Sequence, residues 1–261
     1  MALPKIYDTP AEAVADIPDG AVIMSSGFGG AGGRPVHLAV ALSARGVKDL
    51  TIIEQTMGVL GLDLLGTPLA NMAGLNVPPD YKDLVDLYVN KQVKKLITPV
   101  IPIAGNPTIV EALKEMIGLD VMEIELLPQG TFAERIRAGG AGIKGFFTAV
   151  SAGTIIGEGK ETRVIDGELC VLEPPMRADY ALIRAYKADR LGNLIYRGTS
   201  RSYGPIMATA ADVTIVEVDE IVEVGELDPE VVVTPGIYVD RMVKVPPPFW
   251  TYNELCIRGE R

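Results

Sequence analysis

Histidine and cysteine are nearly absent from this chain of 261 residues: His37 is the one histidine, and Cys170 and Cys256 are the two cysteines. A lone histidine excludes a multi-histidine metal site and a serine–histidine pair elsewhere in the chain. It lies on a helix flank among Val36, Leu38 and Val40. The two cysteines stand far apart and match no metal or redox spacing, and Cys170, in an apolar strand pattern, reads as a small core residue. Positive charge is also short, with 24 Lys and Arg against 34 Asp and Glu, a formal charge of −10. The excess acid is spread without blocks, which argues against nucleic acid or an anionic membrane as partner. Long apolar runs are missing too. The most apolar long window, residues 58–77, carries Asp63 and Pro68 and reads poorly as a membrane span. The first eight residues hold no apolar core of signal-peptide length. No internal repeat and no low-complexity linker interrupts the chain. These absences point to a reduced, cytoplasmic protein. Its length suffices for one large α/β domain with a sizeable core over residues 1–245. A tail follows over 246–261, beginning extended at Pro246-Pro-Pro-Phe-Trp250.

What is present alternates. Thr9-Pro-Ala-Glu12 is a capping box with proline at the first helical position, so a short helix precedes the turn at Asp19-Gly20. Ala21-Val-Ile-Met-Ser25 has the pattern of a buried strand. It runs into Gly27-Phe-Gly-Gly-Ala-Gly-Gly-Arg-Pro35, where Pro35 opens a helix reaching Ala44, before Gly46. Leu50-Thr-Ile-Ile53 is the next strand and ends at Glu54-Gln-Thr-Met-Gly58. Strand, helix and strand at this spacing form a parallel unit. Alternation continues through a strand at 95–103, a helix at 108–117 and a strand at 121–127. From residue 162 the texture changes to short strands joined by turns, at 163–165, 168–172, 180–186, 194–197 and 213–217. Asp166-Gly167 and Gly192-Asn193 have hairpin-turn composition. The expected fold is α/β: an open, mostly parallel sheet with flanking helices and a β-rich C-terminal half.

The segment Pro128-Gln-Gly-Thr-Phe-Ala-Glu-Arg-Ile-Arg-Ala-Gly-Gly-Ala-Gly142 is the most informative. The sequence predicts that Thr131 caps a helix, that Glu134 completes a capping box, and that Gly139 and Gly140 end it in a left-handed conformation. Gln129 then lies between a strand end and a helix N-terminus, where a neutral side-chain amide can donate to a developing oxyanion. The glycine-rich loop supports several readings. Gly27-x-Gly29-x-x-Gly32 fits the dinucleotide fingerprint, with Glu54 about twenty residues further on. Pro35, however, starts the helix three residues beyond Gly32, and Phe28 crowds a pyrophosphate. A backbone-amide cradle for a phosphate or a thioester carbonyl explains the extra glycines better; a tight turn between packed elements is the plainer reading.

These segments together resemble the α subunit of the family I coenzyme A transferases of the 3-oxoacid type. The resemblance rests on Asp19-Gly20, Val22-Ile-Met24, Ser26-Gly-Phe-Gly29 and Pro35, on Lys91-Gln-Val-Lys-Lys95, and on residues 128–142. It resumes in Ala185-Tyr-Lys-Ala-Asp-Arg190, Gly192-Asn193, Val216-Glu-Val218, Glu220-Ile-Val222 and Thr234-Pro-Gly-Ile-Tyr-Val239. It covers about residues 17–243. Ser26 stands for the family's first glycine, the loop to Pro35 is one residue longer, and a segment at 60–87 is roughly twenty residues longer than in the 3-oxoacid α subunits.

The resemblance implies the fold and half of an enzyme. CoA is moved between a short acyl or 3-oxoacyl thioester and a small carboxylate such as succinate or acetate, through a glutamyl-CoA intermediate. The nucleophilic glutamate belongs to a β subunit, in a Ser-Glu-Asn-Gly turn that this sequence lacks, so a heterodimer or heterotetramer is expected. A carboxylate nucleophile has to be desolvated to attack, which suits a site walled by two chains. CoA is then a substrate, and no metal or resident cofactor is implied. By match, Gln129 is the side-chain donor, and Gln55 occupies the position of an asparagine in the family's Asn-Asn-Ala-Gly turn. Gly27, Phe28, Gly29 and Gly30 line the same cleft.

Glu54, at a strand end, is either an ordinary carboxylate, a contact to the partner chain, or a catalytic acid of a hydrolase-like relative. Lys91, Lys94 and Lys95 are candidate contacts to CoA phosphates or a solvated face, and Arg135 and Arg137 are ligand clamps or surface pairs. A CoA-ester hydrolase or ring-cleaving relative, a non-catalytic acyl-CoA-binding module and, from the glycine loop alone, a dinucleotide oxidoreductase are the alternatives.

Overall fold

The computed structural model describes residues 3–28, 32–55, 84–100, 115 and 122–246. All of the expected helix at 108–117 except Glu115, most of the longer segment at 60–87, Gly29, Gly30, Cys256 and nearly all of the 246–261 tail lie outside them. The described chain runs β1 (Lys5–Tyr7), α1 (Pro10–Ala13), β2 (Val22–Ser25), α2 (Val36–Ala44), β3 (Leu50–Glu54), α3 (Val85–Val89), β4 (Val93–Thr98), β5 (Glu123–Leu126) and α4 (Gln129–Ala141). It continues with β6 (Phe146–Thr148), β7 (Thr162–Ile165), β8 (Glu168–Glu173), β9 (Ala178–Asp189), β10 (Leu194–Ile195), α5 (Gly204–Thr209), β11 (Ala211–Val222) and β12 (Arg241–Lys244).

The main sheet has the order β1-β12-β11-β9-β2-β3-β4-β5, with every neighbour on that path parallel. β10 pairs antiparallel with β9. From β2 the strands are first laid down outward to β5; the chain then returns to the other side of β2 with β9, β11 and β12. That reversal is a topological switch point, where open parallel sheets bind ligands beyond their strand C-termini. Both faces are covered. One core joins Leu38 and Leu42 of α2 and Tyr88 of α3 to Leu50 and Ile52 of β3. The other joins Phe132 and Ile136 of α4 and Met207 of α5 to Ile53 of the same strand. Burial on both sides explains why β2 and β3 read as continuous apolar runs rather than alternations.

The capping box of α1 is as expected, with the Glu12 amide donating to Thr9 Oγ1 at 3.2 Å and the Thr9 amide to the Glu12 carboxylate at 3.3 Å. α4 departs from expectation at both ends. It begins at Gln129 with Pro128 in extended conformation at the cap, because the Phe132 amide already reaches the Pro128 carbonyl at 2.8 Å. Thr131 is therefore inside the first turn, buried, with no hydrogen-bond partner for Oγ1, and Glu134 pairs instead with Arg137. The helix also runs through Gly139 and Gly140 to Ala141, and the left-handed residue is Gly142, at φ 72°. The two earlier glycines answer to packing. A Cβ on Gly139 would lie 2.0 Å from the Met176 carbonyl oxygen, and one on Gly140 2.0 Å from Thr209 Oγ1.

The strands after residue 162 are not uniformly short. Asp166 and Gly167 do turn a hairpin, at φ 51° and 83°, between β7 and β8 of a separate antiparallel sheet in the order β6-β8-β7. β9 and β11, by contrast, have 12 residues each and pair in parallel along the middle of the main sheet. Charged residues interrupt their apolar pattern, yet these are buried against each other. Arg184 Nη1 donates to Glu217 Oε1 at 2.6 Å, and Arg184 Nη2 donates to Asp219. Glu217 Oε2 accepts the Leu38 amide at 2.9 Å, capping α2, whose own cap residue Pro35 offers no side-chain acceptor. Burial pushes the Glu217 carboxyl up, and the Arg184 guanidinium opposes that push.

A second buried polar pair sits beneath β3. Glu54, 2 % exposed, continues the face of Leu50 and Ile52 and accepts a hydrogen bond from the Tyr88 hydroxyl of α3. Burial, with the neighbouring carboxylate, raises Tyr88 well above its ordinary pKa of 10.0.

Both features can be tested by single substitutions. Gly139→Ala, which in an open helix would stabilise by about 0.5–1 kcal/mol, should here destabilise by about 1–3 kcal/mol through overpacking, measured by denaturant unfolding. Tyr88→Phe should cost about 1–3 kcal/mol by leaving the Glu54 oxygen short of its donor. Because the folded-state Tyr88 pKa is raised, its contribution is complete below about pH 10 and is lost as pH rises further. The stability difference between wild type and Tyr88→Phe should therefore be flat through neutral pH and shrink in strong alkali.

Candidate active site

The C-terminal ends of the parallel strands bring the expected residues together. Gln55, the first residue beyond β3, is 4 % exposed. Gln129, the first residue of α4, follows β5. Between their strands runs β4, whose Thr98 hydroxyl donates to the Gln55 carbonyl at 3.3 Å and whose Thr98 carbonyl accepts the Leu127 amide at 3.1 Å. β4 thus fixes the backbone on either side of the gap that the two side chains span. Gln55 Nε2 approaches Gln129 Oε1 at 3.5 Å, at the long limit of a hydrogen bond. Gln129 Nε2 donates to the Tyr203 hydroxyl.

Tyr203 was not legible as a site residue, since Ser202-Tyr-Gly-Pro205 matches no catalytic or binding motif. It is 7 % exposed and precedes α5. Its ring stacks on Phe28 with centroids 6.2 Å apart and planes inclined 16°, and meets Phe132 edge to face at 5.3 Å. Burial raises the phenol pKa, against the hydrogen bond from Gln129, which lowers it. The hydroxyl therefore stays protonated through neutral pH. One local signal accompanies it: Ser202 is held at φ 24°, ψ −119°, a conformation that non-glycine residues adopt only when their surroundings force it. Phe28 itself is 41 % exposed.

The glycine loop is built for close approach. Gly27 has φ 118° and its Cβ position lies 2.5 Å from Arg34 Cγ, while Gly33 has φ 78° with its Cβ position 2.3 Å from the Ser200 carbonyl oxygen. Ser26 Oγ donates to the Gly33 carbonyl at 2.6 Å and accepts the Arg184 amide at 3.2 Å, tying the loop to β9. The Phe28 amide donates to the Gly32 carbonyl at 3.2 Å. That amide is spent inside the loop, so Phe28 contributes its ring to the site rather than an N–H. Gly32, at φ 81°, lies well before the start of α2, unlike the glycine of a dinucleotide fingerprint, which sits in the first helical turn.

The remaining candidates are engaged elsewhere. Glu54 faces α3, on the opposite side of the sheet from Gln55 and Gln129. Lys91 pairs with Glu115 at 2.7 Å, and Lys95 pairs with Glu123 and Glu125, each at 2.9 Å. Arg135 is buried and donates to the Pro174 carbonyl at 2.9 Å and to Glu125 at 2.8 Å, so it fastens α4 to β5 and β8. Arg137 pairs with Glu134 on the exposed face of α4. His37 Nε2 meets the Pro246 carbonyl at 3.0 Å, and Cys170 is a buried free thiol. Among the described residues no group of three or more His, Cys, Asp and Glu side chains is arranged to hold a metal ion, and no helix is long and apolar enough to cross a membrane.

Known proteins share both sequence and architecture. The family described as Coenzyme A transferase matches residues 7–70 and 66–245. The A-subunit of the 3-oxoadipate CoA-transferase of Pseudomonas putida is 44% identical over 241 residues, covering 92% of this chain and 94% of that protein. The A-subunit of a probable succinyl-CoA:3-ketoacid coenzyme A transferase of Bacillus subtilis is 42% identical over 241 residues, covering 92% of this chain and 89% of the relative. Among solved structures, the glutaconate coenzyme A-transferase of Acidaminococcus fermentans superposes with a TM-score of 0.68 at 20% identity, over 97% of this chain and 77% of that one. The chain belongs to the coenzyme A transferase family.

Proposed function

We propose that this chain is the α subunit of a two-subunit, cytoplasmic CoA-transferase that moves CoA between a short acyl- or 3-oxoacyl-CoA and a small carboxylate. The observation that carries the reading is the meeting of Gln55, Gln129 and Tyr203 at the C-terminal ends of the parallel strands, beside the Phe28 ring. These are neutral donors and an aromatic wall, while the carboxylate at the end of β3 points to the other face of the sheet. The relatives at 44% and 42% identity are each named as the A-subunit of such an enzyme. The nucleophile is then a glutamate of the β subunit, in a Ser-Glu-Asn-Gly turn.

The chemistry assigns the chain a positioning and electrostatic part. The partner's glutamate attacks the thioester carbonyl, and the carbonyl oxygen becomes an oxyanion. One Gln129 N–H is held by Tyr203; the other is the donor to that oxygen, with Gln55 steadying the amide through Oε1. A donor fixed before the reaction costs no reorganisation as the charge appears. The tetrahedral species expels CoA thiolate and leaves an acyl-glutamyl anhydride. Thiolate attack on the glutamyl carbonyl releases the carboxylate and gives glutamyl-CoA, and the same steps in reverse load the incoming acid. CoA enters as a substrate, and the Gly27–Phe28 turn borders the cleft.

The test is co-purification followed by assay of the assembled enzyme. A stoichiometric partner carrying Ser-Glu-Asn-Gly should come with this chain, and acyl-CoA without acceptor should leave a CoA adduct on the partner. An adduct on this chain, or no partner, would sink the reading. In the complex Gln129→Ala should lower kcat by about 10²–10³-fold, the loss typical of one oxyanion donor. Glu54→Gln, which keeps an acceptor for Tyr88, should leave kcat unchanged; a collapse of turnover there would favour a hydrolase-like use of Glu54.

A further inference from the structure

We infer that Tyr203 is a positioning residue for the transfer reaction: its hydroxyl fixes where the Gln129 amide stands at the strand ends. A glutamine side chain is long and rotates freely, and a donor left to sample its rotamers meets a developing oxyanion only part of the time. Two contacts hold it. Gln55 Nε2 addresses Oε1 at 3.5 Å, which is weak, and the Tyr203 hydroxyl accepts from Nε2. The second contact therefore carries most of the restraint.

The phenol is itself held tightly enough to serve. Phe28 stacks on one side of the ring and Phe132 of α4 meets it edge-on. Phe132 is fully buried, so one wall of the tyrosine slot is the core itself. The segment leading to Tyr203 is locked against the glycine loop, since Gly33 has no room for a side chain next to the Ser200 carbonyl. On the other side, Gly204 leaves no room for one against the Tyr196 ring, 2.8 Å from the Cβ position. A rigid neighbourhood loses little entropy when it orients a ligand-facing group. Phe28 belongs to the loop and Gln129 to α4, so Tyr203 also joins the loop wall to the amide donor.

This inference rests on the donor role of Gln129, and the experiment separates the two. Tyr203→Phe, Gln129→Ala and the double variant are assayed in the complex with the β subunit. Tyr203→Phe keeps the ring stack and removes only the oxygen. It should lower kcat roughly two- to tenfold, the range of one hydrogen bond, with KM for acyl-CoA and thermal stability near wild type. In the Gln129→Ala background the same substitution should cost nothing further. A wild-type kcat for Tyr203→Phe beside an impaired Gln129→Ala would overturn the Tyr203 inference alone. Equal losses from Tyr203→Phe in both backgrounds would do the same, because the effect would not pass through Gln129. A wild-type kcat for Gln129→Ala would overturn both readings.

Discussion

The buried ion pair between Arg184 and Glu217 is the constraint on which the site depends. It lies within the central parallel strands, where an unpaired charge would be costly and a paired one stands only if its remaining hydrogen-bonding capacity is used. The capacity is used by parts of the scaffold around the cleft. The second Glu217 oxygen takes a backbone amide from the first turn of α2, where a carboxylate also meets the positive end of the helix dipole. The guanidinium's other nitrogen binds Asp219, and separately the backbone amide of Arg184 donates to Ser26 Oγ, which in turn holds the far side of the glycine loop. Thus the strand pair that forms the middle of the sheet also anchors both ends of the loop that carries Phe28. Removing the Glu217 carboxylate would strip α2 of its cap as well as Arg184 of its partner.

The candidate site is assembled from neighbours that are remote along the chain. Gln55 and Gln129 are separated by 74 residues, and so are Gln129 and Tyr203. Each is delivered by a different element: a strand end, a helix start and the turn before a second helix. What they make is a neutral, partly desolvated row of hydrogen-bonding groups bordered by an aromatic ring. Such a row can stabilise negative charge arriving from outside without having to neutralise charge of its own. This fits a chain that supplies the surroundings of a reaction rather than its nucleophile.

Local grammar is readable in the sequence wherever its reasons are local. The Thr9 capping box, the Asp166-Gly167 turn and the double-sided strands β2 and β3 owe their form to residues a few positions apart. The limits of α4 differ from expectation because nothing local fixes them. Pro128 caps without a side-chain bond, and Gly139 and Gly140 are required by Met176 and Thr209, which the fold brings alongside. β9 and β11 are longer than their pattern suggests because Lys187, Asp219 and Glu220 look like strand ends until they are seen to pair across the two strands, Lys187 with Glu220 and Asp219 with Arg184. Gln55 and Gln129 emerge from family resemblance, and the structure brings them within reach of one another. Tyr203 has no signature of its own, since its significance lies entirely in what it touches across the sheet edge.

β3 and β5 are held two strand spacings apart by β4, a separation of about 9–10 Å. That distance is set by backbone hydrogen bonding and cannot be adjusted by changing side chains. A glutamine from each side closes it, the two amides approaching to 3.5 Å. The width of the cleft at its floor is therefore a property of the sheet, common to whatever acid the enzyme accepts. Diversification towards larger or smaller acyl groups has to proceed in the loops above this floor, where length can change one residue at a time.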